Sequence, residues 1–176
     1  MNTKIVTFVV LSIIAIAAIV VTGQQASRPV AKAAPSNAVF SGEKIVKTER
    51  AWKKLLSANA FYVLRKKGTE RAYTGKLTDN KAPGVYACGA CGLHLFNSTH
   101  KFDSETGWPS FFDVIRKENV EEEVDKSIPS EPRTEVLCAR CGSHLGHVFD
   151  DGPEPTGLRY CINSVALRFL PQQSSF

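Results

Sequence analysis

The sequence has almost no methionine, no acid near its start, no block of basic charge and no cysteine beyond two pairs and a single. Each shortage narrows what the chain can be. Met1 is the only methionine in 176 residues, so the body of the chain offers oxidants no thioether. That suits a protein working among oxidants, with chance composition as the rival explanation. The first acid is Glu43, and the net charge is only +5. Lysine and arginine are scattered, which excludes the basic stripe of a nucleic-acid binder. Long helical periodicity is missing after Ala72, where turn-rich stretches recur instead: TDNKAPG, DSETGWPS, PSEP, DDGPEPTG.

What is present begins with MNTKIVTFVVLSIIAIAAIVVTG, one early lysine and an apolar run from Ile5 to Val21. Residues 1–23 read as an export signal or a single membrane anchor. A cleavage site at Val21-Thr22-Gly23 or at Ala31-Lys32-Ala33 would release a secreted or periplasmic domain. Without cleavage the folded domain would sit membrane-anchored outside the cytoplasm. Residues 24–42, small and polar with two prolines, read as a flexible linker. The folded domain is expected over 43–172, with a short tail at 173–176.

Within that domain, Trp52, Leu55 and Leu56 recur at helical spacing in KTERAWKKLLSANA. Ser57 is placed to cap a second helix over 58–67, ended by Gly68. Short β-type runs follow: GVYAC, FFDVI, TEVLC, HVF and LRYCINSVALRF. The class is mainly β with short N-terminal helices. The acidic segment KENVEEEVDKSIPSE reads as a solvated loop without a site. Asn97-Ser98-Thr99 is a glycosylation sequon, relevant only if a eukaryotic cell exports the domain.

One internal repeat organises the chemistry. CGACGLHLF (88–96) and CARCGSHLGHVF (138–149) share C-x-x-C-G-x-H-L. Each C-x-x-C turn points two sulfurs at one spot, and Gly92 and Gly142 suit the left-handed backbone of so tight a turn. Cys88, Cys91, Cys138 and Cys141 together make the four-thiolate set of a closed structural zinc site, with no open position for catalysis. The 46 residues between Cys91 and Cys138 imply that the metal clips two distant hairpins together. A pair of disulfides in an oxidising compartment, or a redox dithiol, are the competing readings.

Cys161 is left over. On a strand, Arg159, Cys161 and Asn163 share one face, opposite Tyr160, Ile162 and Ser164. A guanidinium beside a thiol favours the thiolate, and Asn163 adds an amide donor. The plain alternative is a buried cysteine acting as a small hydrophobe. His144 and His147, in HLGHVF, could donate a proton to a leaving oxygen or support the zinc knuckle from behind, the reading preferred for His94. Gly146 is a candidate bulge that re-aims one imidazole. Trp108, in GWPSF, is held at a loop, as a pocket wall or a core corner.

YACGACGLHLF, KFDSETGWPSF, CARCGSHLGHVFDDGPEPTG and RYCINSVALRF, in that order, resemble the methionine-R-sulfoxide reductase family, B type. FYVLRKKGTERAYTG resembles that family's entry segment, so the resemblance spans about residues 46–170. It implies two antiparallel sheets forming a tent-like β domain with a zinc staple. It implies reduction of the R epimer of methionine sulfoxide, free or in oxidised proteins and peptides, with Cys161 as nucleophile and a sulfenic acid left on it. It places His144 and His147 at the sulfoxide oxygen, Trp108 at the ε-methyl group with Phe149 as a further wall, and Arg159 and Asn163 around the thiol. One structural Zn²⁺ on the four knuckle cysteines is implied as well.

The chain departs from many relatives in one respect. The turn before GWPSF carries Thr106 where a second, resolving cysteine is common. The expected cycle therefore uses one cysteine, with an external thioredoxin-like protein or small thiol attacking the sulfenic acid. A monomer is expected. Two rival classes remain: a non-enzymatic zinc-stapled binding module, which has no need of a reactive Cys161, and a thiol–disulfide oxidoreductase acting through a C-x-x-C pair.

Overall fold

The computed structural model describes residues 40–173. The apolar segment 1–23 and nearly all of the linker lie outside the described residues. Among the described residues, no helix is long and apolar enough to cross a membrane.

Two short helices open the domain. In α1 (Glu49–Leu55) the Thr48 hydroxyl accepts the Ala51 N–H, and in α2 (Ala58–Lys66) the Ser57 hydroxyl accepts the Ala60 N–H. Each cap satisfies a donor that the first helical turn leaves open. Trp52 is buried and Leu56 packs partly buried against the core, whereas Leu55 stays 63% exposed, so the expected apolar stripe loses its middle residue. Helix α2 buries Phe61, Val63 and Leu64. Its left-handed terminal residue is Lys67, at φ 56°, and not the expected Gly68. Gly68 closes the motif one residue later by donating its N–H to the Tyr62 carbonyl. The Lys67 ammonium is tied to Glu135 at 2.7 Å, a contact no helix-end rule anticipates.

The rest is two antiparallel sheets. The smaller runs β2-β1-β9, with β1 Gly84–Cys88, β2 His94–Asn97 and β9 Leu167–Pro171. The larger runs β3-β4-β8-β7-β6-β5, with β3 Lys101–Phe102, β4 Ser110–Phe111, β5 Val120–Asp125, β6 Arg133–Cys138, β7 His144–Phe149 and β8 Arg159–Ile162. Aromatic rings join them. Tyr86 and Phe96 from the small sheet meet Phe111 and Tyr160 from the large one, with Phe96 stacked on Phe111 at 4.4 Å, and Phe169 packs on Tyr86 within the small sheet. Tyr86, Phe96, Phe111 and Tyr160 are fully or nearly buried, and rings of that size bring a large apolar area between the sheets.

The acidic segment expected to be a loop is the strand β5. It pairs with β6 in unbroken register from Val120↔Cys138 to Asp125↔Arg133. Three consecutive glutamates disguise it, because on the edge of a sheet charged side chains are tolerated and guard against further pairing.

Both knuckle hairpins carry a bulge at the same place in the repeat. Ala87 faces His94 and Tyr86 faces Phe96, leaving Leu95 extra; Leu137 faces His144 and Val136 faces Gly146, leaving Leu145 extra. The bulged residue is therefore the repeated leucine. Gly146 is not its cause, since the first hairpin bulges with Phe96 in the equivalent position. Gly146 answers a different need: a Cβ there would lie 2.1 Å from the Cys161 carbonyl oxygen, so only glycine lets β8 approach.

Candidate active site

The two knuckles close in the same way. Cys88 N–H donates to Leu93 O and Gly92 N–H to Cys88 O; Cys138 N–H donates to Ser143 O and Gly142 N–H to Cys138 O. Gly92 and Gly142 take φ of 76° and 62°, the left-handed conformation that glycine adopts freely. All four sulfurs lie within 4.8 Å of one another. They interleave across the knuckles, Cys88 to Cys141 at 3.8 Å and Cys91 to Cys138 at 3.5 Å, far beyond an S–S bond of about 2.05 Å. A tetrahedron of sulfurs about 2.3 Å from a metal has edges of about 3.8 Å, so the donor set fits a tetrahedral ion. Arg140 reaches across the cluster, its Nε 3.4 Å from the Cys91 sulfur, and Arg65 donates to the Cys141 carbonyl at 2.9 Å.

Away from the cluster, the large sheet gathers a second set of groups on one face. The Leu145 bulge makes this possible. Without it, His144 and His147, three residues apart, would point to opposite faces. With it, His144 sits opposite Leu137 and His147 opposite Glu135, which share a face. Their rings stand 5.5 Å apart, edge to face. His147 also lies directly opposite Cys161 on β8.

Cys161, His147, Trp108, Phe149, Asn163, Arg133, Gly146 and Thr69 line one pocket of about 120 Å³. Of the seven residues proposed from sequence outside the knuckles, five line it. The indole N–H of Trp108 donates to the Glu70 carbonyl at 3.1 Å, which fixes the ring as an apolar wall. The Arg159 guanidinium lies 4.3 Å over the Phe149 ring and is bidentate to Asp151 at 2.7 and 2.8 Å. His144 does not line the pocket. It is 3% exposed and gives Nδ1 to Glu135 at 2.7 Å, while its Nε2 has no hydrogen-bond partner among the described residues. Burial holds its pKa below the usual imidazole value, with Glu135 opposing.

The thiol itself departs from the simple expectation. Burial pushes the Cys161 pKa up; the Thr106 hydroxyl, then Arg159, pull the other way. A low-dielectric pocket wins over one guanidinium already paired with Asp151. Thr106 Oγ1 lies 3.9 Å from the sulfur and begins a hydroxyl chain, to Ser104 at 2.8 Å and on to Ser110 at 2.6 Å. Asn163 is committed to the scaffold: its Nδ2 donates to Leu145 O at 3.0 Å and its Oδ1 accepts from Glu70 N–H at 2.9 Å. It clamps β8 onto the bulged residue.

Several contributors have no signature in the sequence. Glu135 holds His144, and Asp125 accepts from His147 Nε2 at 2.9 Å. The carboxylate of Glu70 accepts the N–H groups of Ser164 and of Val165, the latter at 3.0 Å. Glu135 at least adjoins the apolar Val136 and Leu137, whereas Glu70, between Thr69 and Arg71, has no local signal at all.

A half-buried thiol in a small aromatic-walled pocket, with an imidazole facing it and a separate four-sulfur cluster fit for a metal ion, defines a thiol-using two-sheet protein class. Residues 56–171 match the SelR domain. The chain belongs to that family, the methionine-R-sulfoxide reductases of the B type. It is 55% identical over 132 residues to a protein of Methanosarcina mazei named peptide methionine sulfoxide reductase MsrB, covering 75% of this chain and 94% of that one. The namesake from Thiobacillus denitrificans is 54% identical over 126 residues, 72% of this chain and 95% of that one. A chloroplastic B1 enzyme of Oryza sativa is 54% identical over 126 residues, 72% of this chain and 58% of the plant protein.

Proposed function

We propose that the protein reduces methionine-R-sulfoxide, chiefly in oxidised proteins and peptides, to methionine, with Cys161 as the nucleophile. The observation that carries this reading is the placement of the Cys161 thiol in one pocket with Trp108, Phe149 and His147. Two aromatic walls suit the methyl group and chain of a thioether, and the imidazole suits the polar S–O group.

The Cys161 thiolate attacks the sulfoxide sulfur while the oxygen is protonated. The oxygen then passes to the Cys161 sulfur as both the S–O bond and the new S–S bond to the substrate sulfur break, so methionine leaves and Cys161 is left as a sulfenic acid. An external thiol attacks that sulfenic sulfur, releasing water and forming a mixed disulfide. A second thiol displaces Cys161 from it. The net exchange is one sulfoxide and two thiols to one thioether, one disulfide and water.

His147 serves as proton donor because it lines the pocket opposite Cys161; His144, buried behind it, supports its position. Thr106 occupies the turn nearest the sulfur, and the other four cysteines converge on the metal cluster, which supports a one-cysteine cycle with a thioredoxin-like or small-thiol reductant. The metal we assign is a single Zn²⁺ on Cys88, Cys91, Cys138 and Cys141, tying the hairpin β1–β2 to β6–β7. The apolar run in residues 1–23 supports a proposal of export, with the domain secreted or periplasmic after cleavage, or membrane-anchored outside the cytoplasm; we take it to act as a monomer.

Separated R and S epimers of a methionine sulfoxide peptide, incubated with residues 43–176 and dithiothreitol beside a Cys161→Ser copy, test this. Turnover of R only, lost in the variant, is the expected result. Absence of turnover by metal-loaded, folded protein would leave the binding-module reading in front.

A further inference from the structure

The acidic edge strand β5 ends at Asp125, and that residue stands behind the imidazole facing Cys161. Asp125 Oδ2 accepts from His147 Nε2 at 2.9 Å and from the Arg133 guanidinium at 2.8 Å; its Oδ1 accepts the Ser127 N–H at 2.8 Å. The side chain of Asp125 is 17% exposed and that of His147 13%, so water competes little for either contact. Resting on the reductase reading, we propose that Asp125 is a positioning residue that fixes the proton of neutral His147 on Nε2 and leaves Nδ1 to exchange the reaction's proton.

The argument is one of donors and acceptors. An ionised carboxylate only accepts. The Ser127 hydroxyl and N–H, then His147, then Arg133 hold the Asp125 carboxyl well below the usual carboxylate range, so it stays ionised. Its partner nitrogen, Nε2, must therefore carry the hydrogen in both states of the ring. In the imidazolium, Nδ1–H is then the proton that can leave. When that N–H bond breaks and an O–H bond forms on the sulfoxide oxygen, the ring remains as the Nε2–H tautomer already matched to Asp125. No ring flip or rearrangement follows the transfer.

The groups around His147 are consistent with this division. Glu135 lies across β6 but gives its carboxylate to His144 and Lys67. His144 meets the ring edge to face, and Phe149 stands 6.5 Å away. Cys161 is opposite on β8, and Arg133 is held by Asp125 itself. Among these contacts, Asp125 is the one that engages a named nitrogen of His147. The register makes this possible: Asp125 pairs with Arg133, and Arg133 and Glu135 share the face that His147 occupies.

¹⁵N NMR of the imidazoles in the metal-loaded domain reads the tautomer directly, with the His147 signal assigned by its loss in His147→Gln. The expected wild-type result, at a pH where the ring is neutral, is a protonated Nε2 and a bare Nδ1. In Asp125→Asn the preference is lost, because the amide presents both a donor and an acceptor. Turnover of the R-sulfoxide peptide should fall on the order of tenfold to a hundredfold in kcat, with KM changed less than about twofold. Glu123→Gln, on the same strand, serves as the control for the strand's integrity. A wild-type His147 with its proton on Nδ1 overturns the proposal, whatever the variants do. So does an Asp125→Asn protein that keeps both the tautomer and the kcat. The NMR result does not depend on turnover, so a failed reductase reading and a failed tautomer assignment remain distinguishable.

Discussion

The hairpins β1–β2 and β6–β7 start from the same motif, close the same turn and bulge at the same leucine, yet one is scaffold and the other builds the site. Two of the positions at which they differ decide this. Where the first hairpin has Phe96, stacked on Phe111 at 4.4 Å in the core, the second has Gly146, which leaves space for the backbone of Cys161. Where the first has Asn97, whose side chain accepts the Thr99 N–H in a local turn, the second has His147, facing the thiol. A side chain that packs was exchanged for an absence that admits a neighbouring strand, and a capping amide for a titratable ring. The shared bulge then serves two ends. In both hairpins it buries the leucine completely, but only in the second does it bring two imidazoles onto one face.

Removing the metal should act on what the hairpins share, and it carries the largest expected effect. A strong chelator, or Cys88→Ser and Cys138→Ser compared side by side, should cost about 3–5 kcal/mol or more and roughly 10 °C or more in Tm. Because the sulfurs interleave between knuckles, the two substitutions should be equivalent. Thermal unfolding followed with metal content would show it; a cost confined to one knuckle would break the symmetry.

Exchanging side chains at the first point of divergence should separate stability from chemistry. Phe96→Ala is expected to cost about 3–5 kcal/mol, as a buried aromatic lost from a packed cluster, while the folded fraction keeps its kcat. Gly146→Ala should cost about 2–3 kcal/mol and also lower kcat, because the clash at 2.1 Å falls on the Cys161 carbonyl and displaces the proposed nucleophile. Urea unfolding and turnover measured on the same samples distinguish the two patterns. Equal effects on kcat would mean that position 146 is merely packing.

At the second point, His147→Asn makes the working hairpin resemble its counterpart. Stability should change by less than about 1 kcal/mol at this partly exposed site. The rate constant kcat/KM for the R-sulfoxide should fall about a hundredfold, equivalent to ~2.7 kcal/mol of transition-state stabilisation. A variant retaining most of its rate would move the proton donor to His144.

Much of this was legible from residue order because it depends on local rules. Thr48 and Ser57 cap helices through their own side chains, Gly92 and Gly142 occupy left-handed turns, and alternation along RYCINS separates Cys161 from the buried Tyr160 and Ile162. Two C-x-x-C pairs announce a four-sulfur site whatever lies between them. The strand β5 was not legible, since three glutamates in a row contradict any apolar pattern, and an edge strand needs only one buried face. The bulge was expected at Gly146 because glycine often marks one; it lies at Leu145 because a bulge is a property of two strands in register.

The sequence by itself determined the two knuckles, the class of sheet and helix, and the one thiol outside the metal cluster, since spacing and residue type suffice for these. Only the tertiary structure decided which groups serve that thiol. Glu70, Asp125 and Glu135 come from distant segments, and their contacts with Asn163, His147 and His144 exist because sheet register and a shared bulge bring them to one face. It also decided the thiol's own state: the guanidinium two residues away suggests a thiolate, but burial pushes the pKa of Cys161 up, and burial belongs to the fold as a whole.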